Sequence, residues 1–382
     1  MKITEVKTYL TGQPWQTRKG MRHFLFVRVF TDEGIHGVGE ASALPSIETE
    51  IRHKAPLLLG EDPFQITRLW SKMYLQTHFM TGIAAGGAIS AIEMALWDIK
   101  GKALGQPVWS LLGGKMRDRV RSYSHANTAE EARKLVELGY TALKMGNIRT
   151  CAADIKSIRR EVGDEIDIMV DLHGPPWMTV PDAIAMGKVL EEYGILFYEE
   201  PVAPENVEAL ARVAEAVNLP IAAGERLAYI YGARELIERE IVDVIQPDAG
   251  RFGGLLQMIK LAGMAEAHYI QVAPHDGSLG PVGEMASVHF CATIPNFLIW
   301  EHRTGDVPLR YEVMQPQPEV VDSHIVLPDT PGLGVDIVDE VIEKHPADPQ
   351  WAGRESRRDA SYDYQFILAQ QRRASWLKGN AG

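Results

Sequence analysis

Short runs of apolar and β-branched residues recur through the second two thirds of the chain: VRSYSH, TALKM, IDIMVDLH, ILFYEE, PIAAGE, VDVIQPD, YIQVAPH and FLIWE. Runs this short and this apolar predict strands buried on both faces, as in a parallel sheet. Between them the apolar positions recur at helical spacing, as in EEARKLVELGY and VEALARVAEAVN. Eight strands with helices between them predict a (β/α)8 barrel, here over residues 118–325. The first 117 residues have a different rhythm. ITEVKTYL and HFLFVRVFTDEGIHGVGEA alternate as strands, with DEG supplying a hairpin turn. A polar loop around Gln13–Met21, with Trp15 near its tip, and a second loop near Ala41–Glu48 are expected, and residues 60–113 read as largely helical. This predicts an α+β domain at the amino terminus. Past residue 305 the alternation breaks into proline-rich turns. Residues 326–382 are expected to return to the first domain or to buttress the barrel, with Trp351, Tyr362, Tyr364 and Trp376 as anchors in the polar tail.

Six strands end on a side chain able to bind a metal or move a proton: Asp171, Glu199, Glu225, Asp248, His275 and Glu301, spaced about 23–28 residues apart. Asp, Glu and His make up roughly a sixth of the chain, so one such residue carries no weight. Six successive strand ends do, because a barrel gathers those ends around one mouth. Asp171, Glu199 and Glu225 close three neighbouring strands. Three oxygen donors with room for water and a substrate carboxylate suit Mg²⁺, and the lack of a Cys or His triad there disfavours zinc. Glu200 follows Glu199, and strand alternation would point the two apart, so the ligand is assigned to Glu199 and an ion-pairing role to Glu200.

Asp248 and His275 end adjacent strands, an arrangement in which the acid fixes the imidazole tautomer and makes a general base. His173, two residues past Asp171, is the candidate general acid on the opposite face. Glu301, if protonated, could hydrogen-bond a substrate carboxylate, and Lys144 could neutralise it. His125 and Arg226 are further candidates for substrate contact.

Composition narrows the partners. A net charge of -12 argues against nucleic acid and anionic membranes, both of which need a basic face. Cys151 and Cys291 alone give no disulfide framework. No apolar stretch approaches the ~20 residues that span a bilayer, and MKITEVKTYL starts as a strand with no signal-peptide character, so a cytoplasmic location is expected. A symmetric homo-oligomer is the expected assembly.

Taken as a set, Lys144, Asp171, Glu199-Glu200-Pro201, Gly224-Glu225-Arg226, Gln246-Pro247-Asp248, His275 and Glu301 resemble the mandelate racemase branch of the enolase superfamily, over nearly the whole chain. Within that branch DLHG, AAGERL, VIQPD and LAGMAEA are most similar to galactonate dehydratase and related acid-sugar dehydratases. The resemblance implies an enolase-type barrel with an amino-terminal capping domain completed by C-terminal residues. It implies Mg²⁺ on Asp171, Glu199 and Glu225, a His275–Asp248 base, and His173 as the acid for a departing 3-hydroxyl. The capping loops around Trp15 and Ser46 would close over the substrate, a small sugar acid. The expected reaction abstracts the C2 proton of an aldonate and eliminates the 3-hydroxyl to give a 2-keto-3-deoxy acid. An epimerase on the same scaffold, with His173 as the second base, and a non-catalytic or regulatory barrel are the alternatives. One departure is chemical: where the racemase pattern has a second lysine, this chain has Gly146, which cannot carry a proton.

Overall fold

From Arg119 onward every strand in turn pairs in parallel with the one before it, until the ladder closes on itself. The computed structural model describes residues 1–16, 20–76, 82–148, 150–173 and 177–348. Trp351, Tyr362, Tyr364 and Trp376 lie outside the described residues. An antiparallel sheet β1 (Ile3–Pro14), β2 (Met21–Thr31) and β3 (His36–Ala41) opens the chain. The barrel strands are β4 (Arg119–His125), β5 (Ala142–Met145), β6 (Asp167–Asp171), β7 (Phe197–Glu199), β8 (Ile221–Ala223), β9 (Val244–Ile245), β10 (Gln271–Val272) and β11 (Trp300–Glu301). They pair in chain order from β4 to β10. A bridge from Val272 to Phe297 and the β11–β4 pairing complete the ring. The fold is therefore a (β/α)8 barrel behind an α+β cap.

Several strands are shorter than their apolar runs. Pro247 and Pro274 carry no N–H, so the ladder stops before Asp248 and His275, which meet across an isolated bridge instead. β1, by contrast, runs on to Pro14, into the expected loop, because Thr11–Pro14 pair in register with Phe24–Met21. The second expected loop is also shorter. α1 (Pro45–Lys54) begins with proline in its first turn, so Ser46 lies in a helix. α2 (Ile66–Tyr74) and α3 (Ile83–Leu104) complete the cap. β3 carries Gly37 and Gly39, where a Cβ would run into the carbonyl oxygens of Ala95 and Ala91, so α3 lies directly on the sheet.

The barrel interior holds one side chain from each strand or its edge: Tyr123, Ala142, Met169, Phe197, Ala222, Val244, Ala273 and Ile299. Two residues further along each strand, the same inward side reaches the mouth. That step gives His125, Lys144, Asp171, Glu199, Gly224, Gln246, His275 and Glu301. Strand periodicity alone thus builds most of the polar ring.

The C-terminal segment fastens both parts. His324–Val326 pairs antiparallel with the start of β4, and Gly12 N–H donates to His345 O at 3.1 Å. Arg28 on β2 binds Asp336 at 3.1 Å and Asp339 at 2.7 Å. Among the described residues no helix is long and apolar enough to cross a membrane.

Candidate active site

Four residues leave the simple two-residue register, and each has a local reason. His173 and Asp248 lie two residues past Asp171 and Gln246, beyond the ends of β6 and β9, where Asp171 and the bridge to His275 respectively hold them. Glu225 follows Gly224, whose φ of +144° turns the backbone and whose missing Cβ would sit 2.8 Å from Gln246 N. Glu200 itself takes a φ of +38°, a conformation that costs a non-glycine residue on the order of 1–2 kcal/mol. That turn brings the carboxylate to the mouth. Glu199 and Glu200 therefore both face the site, contrary to the expectation from strand alternation.

The acidic groups fall into two overlapping sets. Ligand atoms of Asp171, His173 and Glu199 lie within 4.8 Å of one another, and so do those of His173, Glu200 and Glu225. Asp171 and Glu199 thus stay together, while Glu225 groups with Glu200. Lys144 reaches across the floor, with Nζ 3.2 Å from Asp171, 3.2 Å from Glu199 and 3.3 Å from Glu301. Gln246 Nε2 donates to Glu199 at 3.0 Å. Arg226 binds Glu200 at 2.9 Å and stacks on the Trp177 ring at 4.5 Å, so its first partners are protein groups.

Six carboxylates, from Asp171, Glu199, Glu200, Glu225, Asp248 and Glu301, crowd a region whose fixed cations are Lys144, Arg226 and Arg251. Burial, with Asp171 close by, pushes Glu199 up to about 7, and burial with Glu225 close by pushes Glu200 up to about 8. Burial works the same way on Asp171, but Lys144 and His173 outweigh it and hold that acid at about 2. An excess of buried negative charge on hard oxygen donors is what a divalent cation relieves, so these residues fit one.

The two histidines are held differently. Asp248 is fully buried, and its Oδ2 lies 2.7 Å from His275 Nδ1. A carboxylate only accepts, so Nδ1 carries the hydrogen and Nε2 is the reactive nitrogen. Here Nε2 lies 2.8 Å from Glu225 Oε2. Burial disfavours the imidazolium, but Glu225 and Glu301 more than compensate and raise His275 well above its usual range. His173 Nδ1 lies 2.5 Å from Asp171 Oδ1. Despite burial, that bond and the Asp171 charge raise it to about 9.

Glu301 corrects an expectation. Burial favours its neutral form, yet Lys144, His275 and a 2.6 Å contact with His125 Nε2 hold it well below the usual carboxylate range. Its Oε2 also accepts from Asp276 N at 2.7 Å and Gly277 N at 3.0 Å. Glu301 is therefore ionised and acceptor-only in this arrangement. Trp15 stands half-buried on the capping loop, 6.0 Å from the Arg303 guanidinium, and Arg303 reaches the Gly277 carbonyl at 2.5 Å.

The two parts of the chain each match a family description. Residues 2–113 match the mandelate racemase / muconate lactonizing enzyme N-terminal domain, and residues 127–341 match the enolase C-terminal domain-like family. The chain belongs to the enolase superfamily. Among its relatives in that superfamily, D-galactonate dehydratase of Pectobacterium atrosepticum is 33% identical over 379 residues, 92% of this chain and 96% of the relative. D-xylonate dehydratase of Haloferax volcanii is 33% identical over 378 residues, 90% and 88% respectively. Among solved structures, the 3,6-anhydro-D-galactonate cycloisomerase from Zobellia galactanivorans superposes with a TM-score of 0.85 at 30% identity, covering 91% of this chain and all of that one.

Tyr123 and Arg251 join the site without having been singled out from the sequence, and Gln246, named there only within the Gln246-Pro247-Asp248 motif, joins it as a donor to Glu199. The period-two step from the interior layer finds Gln246, and Tyr123 sits in that layer, 5.6 Å below Lys144 Nζ. Arg251 has no such signal, because it follows the strand in a loop.

Proposed function

We propose that this enolase-superfamily member is an acid-sugar dehydratase that takes an aldonate, of the galactonate, gluconate, mannonate or xylonate kind, to a 2-keto-3-deoxy acid with Mg²⁺ as cofactor. The observation that supports it best is the pair of histidines, each tied through Nδ1 to its own aspartate and each beside the carboxylate cluster. Asp171, Glu199 and Glu225 would hold the cation, with Glu200 beside them; when bound, it supplies positive charge to the substrate carboxylate as that group gains electron density.

Glu225 is the shared element. While it sits on His275 Nε2 it keeps the imidazole protonated. Were Glu225 to serve as a cation ligand, that nitrogen would be free to accept a proton. Asp248 keeps the other hydrogen on Nδ1, so His275 takes the C2 proton through Nε2. The electron pair left at C2 becomes the double bond to C3, the C3–O bond breaks, and His173 gives the departing hydroxyl its proton, releasing water. The enol then tautomerises to the keto acid. Lys144 steadies the charge on Asp171, Glu199 and Glu301 throughout.

Epimerisation needs a second base opposite His275, and Gly146 provides none, so that role would fall to His173, the group this reading uses as the acid: the Gly146 backbone N–H donates to Asn127 at 2.9 Å, and a Cβ added there would lie 3.1 Å from Asp171 O. A panel of aldonates, assayed for keto-acid formation with Mg²⁺, tests the reading. Keto acid from at least one aldonate is expected. Accumulation of a C2 epimer with no keto acid overturns it.

A further inference from the structure

The connection from Asp248 to Leu256 is sandwiched between the cap and the barrel mouth. At Gly86 on α3 a Cβ would strike the Arg251 carbonyl, and at Gly87 it would lie 2.9 Å from the Gly250 carbonyl. Further along, Ser90 Oγ accepts from Gly253 N at 2.9 Å, Trp70 Nε1 donates to Gly253 O at 2.8 Å, and Glu93 accepts from Leu255 and Leu256 N at 2.8 Å each. The cap thus grips the same turn that carries Asp248.

Arg251 sits inside this turn, its side chain 15% exposed. Its guanidinium has four partners from four different segments. Nε donates to Ser42 Oγ of the cap at 3.0 Å and lies 3.5 Å from Asp248 Oδ2; Nη1 donates to Glu225 O at 3.1 Å; Nη2 meets Ser278 Oγ. Ser42 and Ser278 also lie 3.3 Å apart. Asp248 Oδ2 is therefore shared between His275 and Arg251, while Oδ1 accepts from Gly250 N at 2.8 Å.

We propose that Arg251 is a positioning residue that locks Asp248, and through it the His275 ring, to the seated cap by way of Ser42. The planar fork suits this task, since its nitrogens are set at fixed angles to several acceptors at once. A single lysine ammonium lacks that geometry. Seating of the cap and aim of the imidazole are then one structural event, in which Ser42 reports the cap and Asp248 receives the report.

The inference rests on His275 being the base, as in the function proposed above, and its test has one arm that needs no substrate. In Mg²⁺-loaded protein with ¹⁵N-labelled histidine, R251Q moves the His275 ring N–H resonance, S42A moves it less and in the same direction, and adding S42A to R251Q moves it no further. In the second arm R251Q lowers kcat for keto-acid formation roughly 10- to 100-fold with KM changed less than about threefold, and R251K recovers part of the loss. An unmoved His275 resonance in S42A and R251Q overturns the proposal. So does a lowered melting temperature with kcat unchanged, which would make Arg251 only a structural tie. If R251Q does not fold, S42A alone decides, since it removes one hydroxyl. A wild-type protein that makes no keto acid overturns the dehydratase reading and leaves the resonance arm intact.

Discussion

Replacing Asp248 with asparagine is the most direct probe of the base, because the structure leaves the amide no good orientation. The native carboxylate accepts on both sides, at 2.7 Å from His275 Nδ1 and 2.8 Å from Gly250 N, with Arg251 at 3.5 Å. If the asparagine oxygen faces Gly250, its NH₂ faces His275 and the Arg251 cation. The imidazole must then put its hydrogen on Nε2, the nitrogen that should accept the C2 proton. If the amide turns over, NH₂ meets the Gly250 N–H, and two donors face each other at a fully buried position. Either way the reactive lone pair is lost or its holder is strained. In a catalytic triad the same exchange, with the same loss of tautomer, costs about 10⁴ in kcat, or about 5.5 kcal/mol in the barrier. Asp248→Asn is therefore expected to lower single-turnover keto-acid formation by about 10³–10⁴, and C2 proton exchange with D₂O by a similar factor. Mg²⁺ affinity is expected to stay within about tenfold, since Asp248 is outside the proposed ligand set. A loss smaller than tenfold in both rates would refute the assignment of His275–Asp248 as the base.

Chelation with EDTA is expected to abolish turnover and Mg²⁺ to restore it, with Glu225→Gln weakening metal binding measured by calorimetry; full activity in the chelated protein would remove the metal from the mechanism. His173→Asn is expected to lower keto-acid formation about 10²–10⁴-fold while C2 exchange continues with retained configuration, read by proton NMR in D₂O. Loss of both signals together would mean that His173 serves the first step as well. Acid stability is expected to depend on Asp336. Burial opposes its ionisation, but His36, Lys102 and Arg28 bring its pKa down to about 2 from the ordinary 3.8. Because the folded value is the lower one, its contribution is present above pH 3.8 and is lost as pH falls towards 2. Thermal melts across that window should show a shallower decline for Asp336→Asn than for wild type, and parallel curves would count against the assignment.

How much of this site was legible in the sequence follows from which side chains obey a local rule. Asp171, Glu199, His275 and Glu301 end apolar runs in phase with the barrel interior, so one period-two step from Met169, Phe197, Ala273 and Ile299 finds them without a structure. Extending the same step to Val244 finds Gln246, which the motif set contained but the emphasis on acids left without a role. Glu200 broke the rule because alternation assumes extended backbone, and a φ of +38° cannot be read from Glu-Glu-Pro. The ionised state of Glu301 was hidden for another reason. It depends on Lys144 at 3.3 Å and His125 at 2.6 Å, partners from strands more than 150 residues away in sequence. The ends of the loops failed in both directions: Pro45 was a readable helix start, whereas the extension of β1 through Thr11–Pro14 needed its partners on β2.

Arg251 marks the limit of local reading. Nothing periodic points to it, since it lies in a turn whose path is dictated by glycines at 250, 253 and 254 and by the cap pressing on them. Its four partners come from residues 42, 225, 248 and 278, which only the folded chain brings together. Strand periodicity therefore specifies which groups line the mouth, while their aim is set by contacts between the cap and the loops. Substitutions in the ring should mainly change whether chemistry occurs, and substitutions at Ser42 or Arg251 how well the ring is aimed. That division is physical: the ring is fixed by the barrel's hydrogen-bonded ladder, and the aim by side-chain bonds across a domain junction, which are fewer and individually weaker.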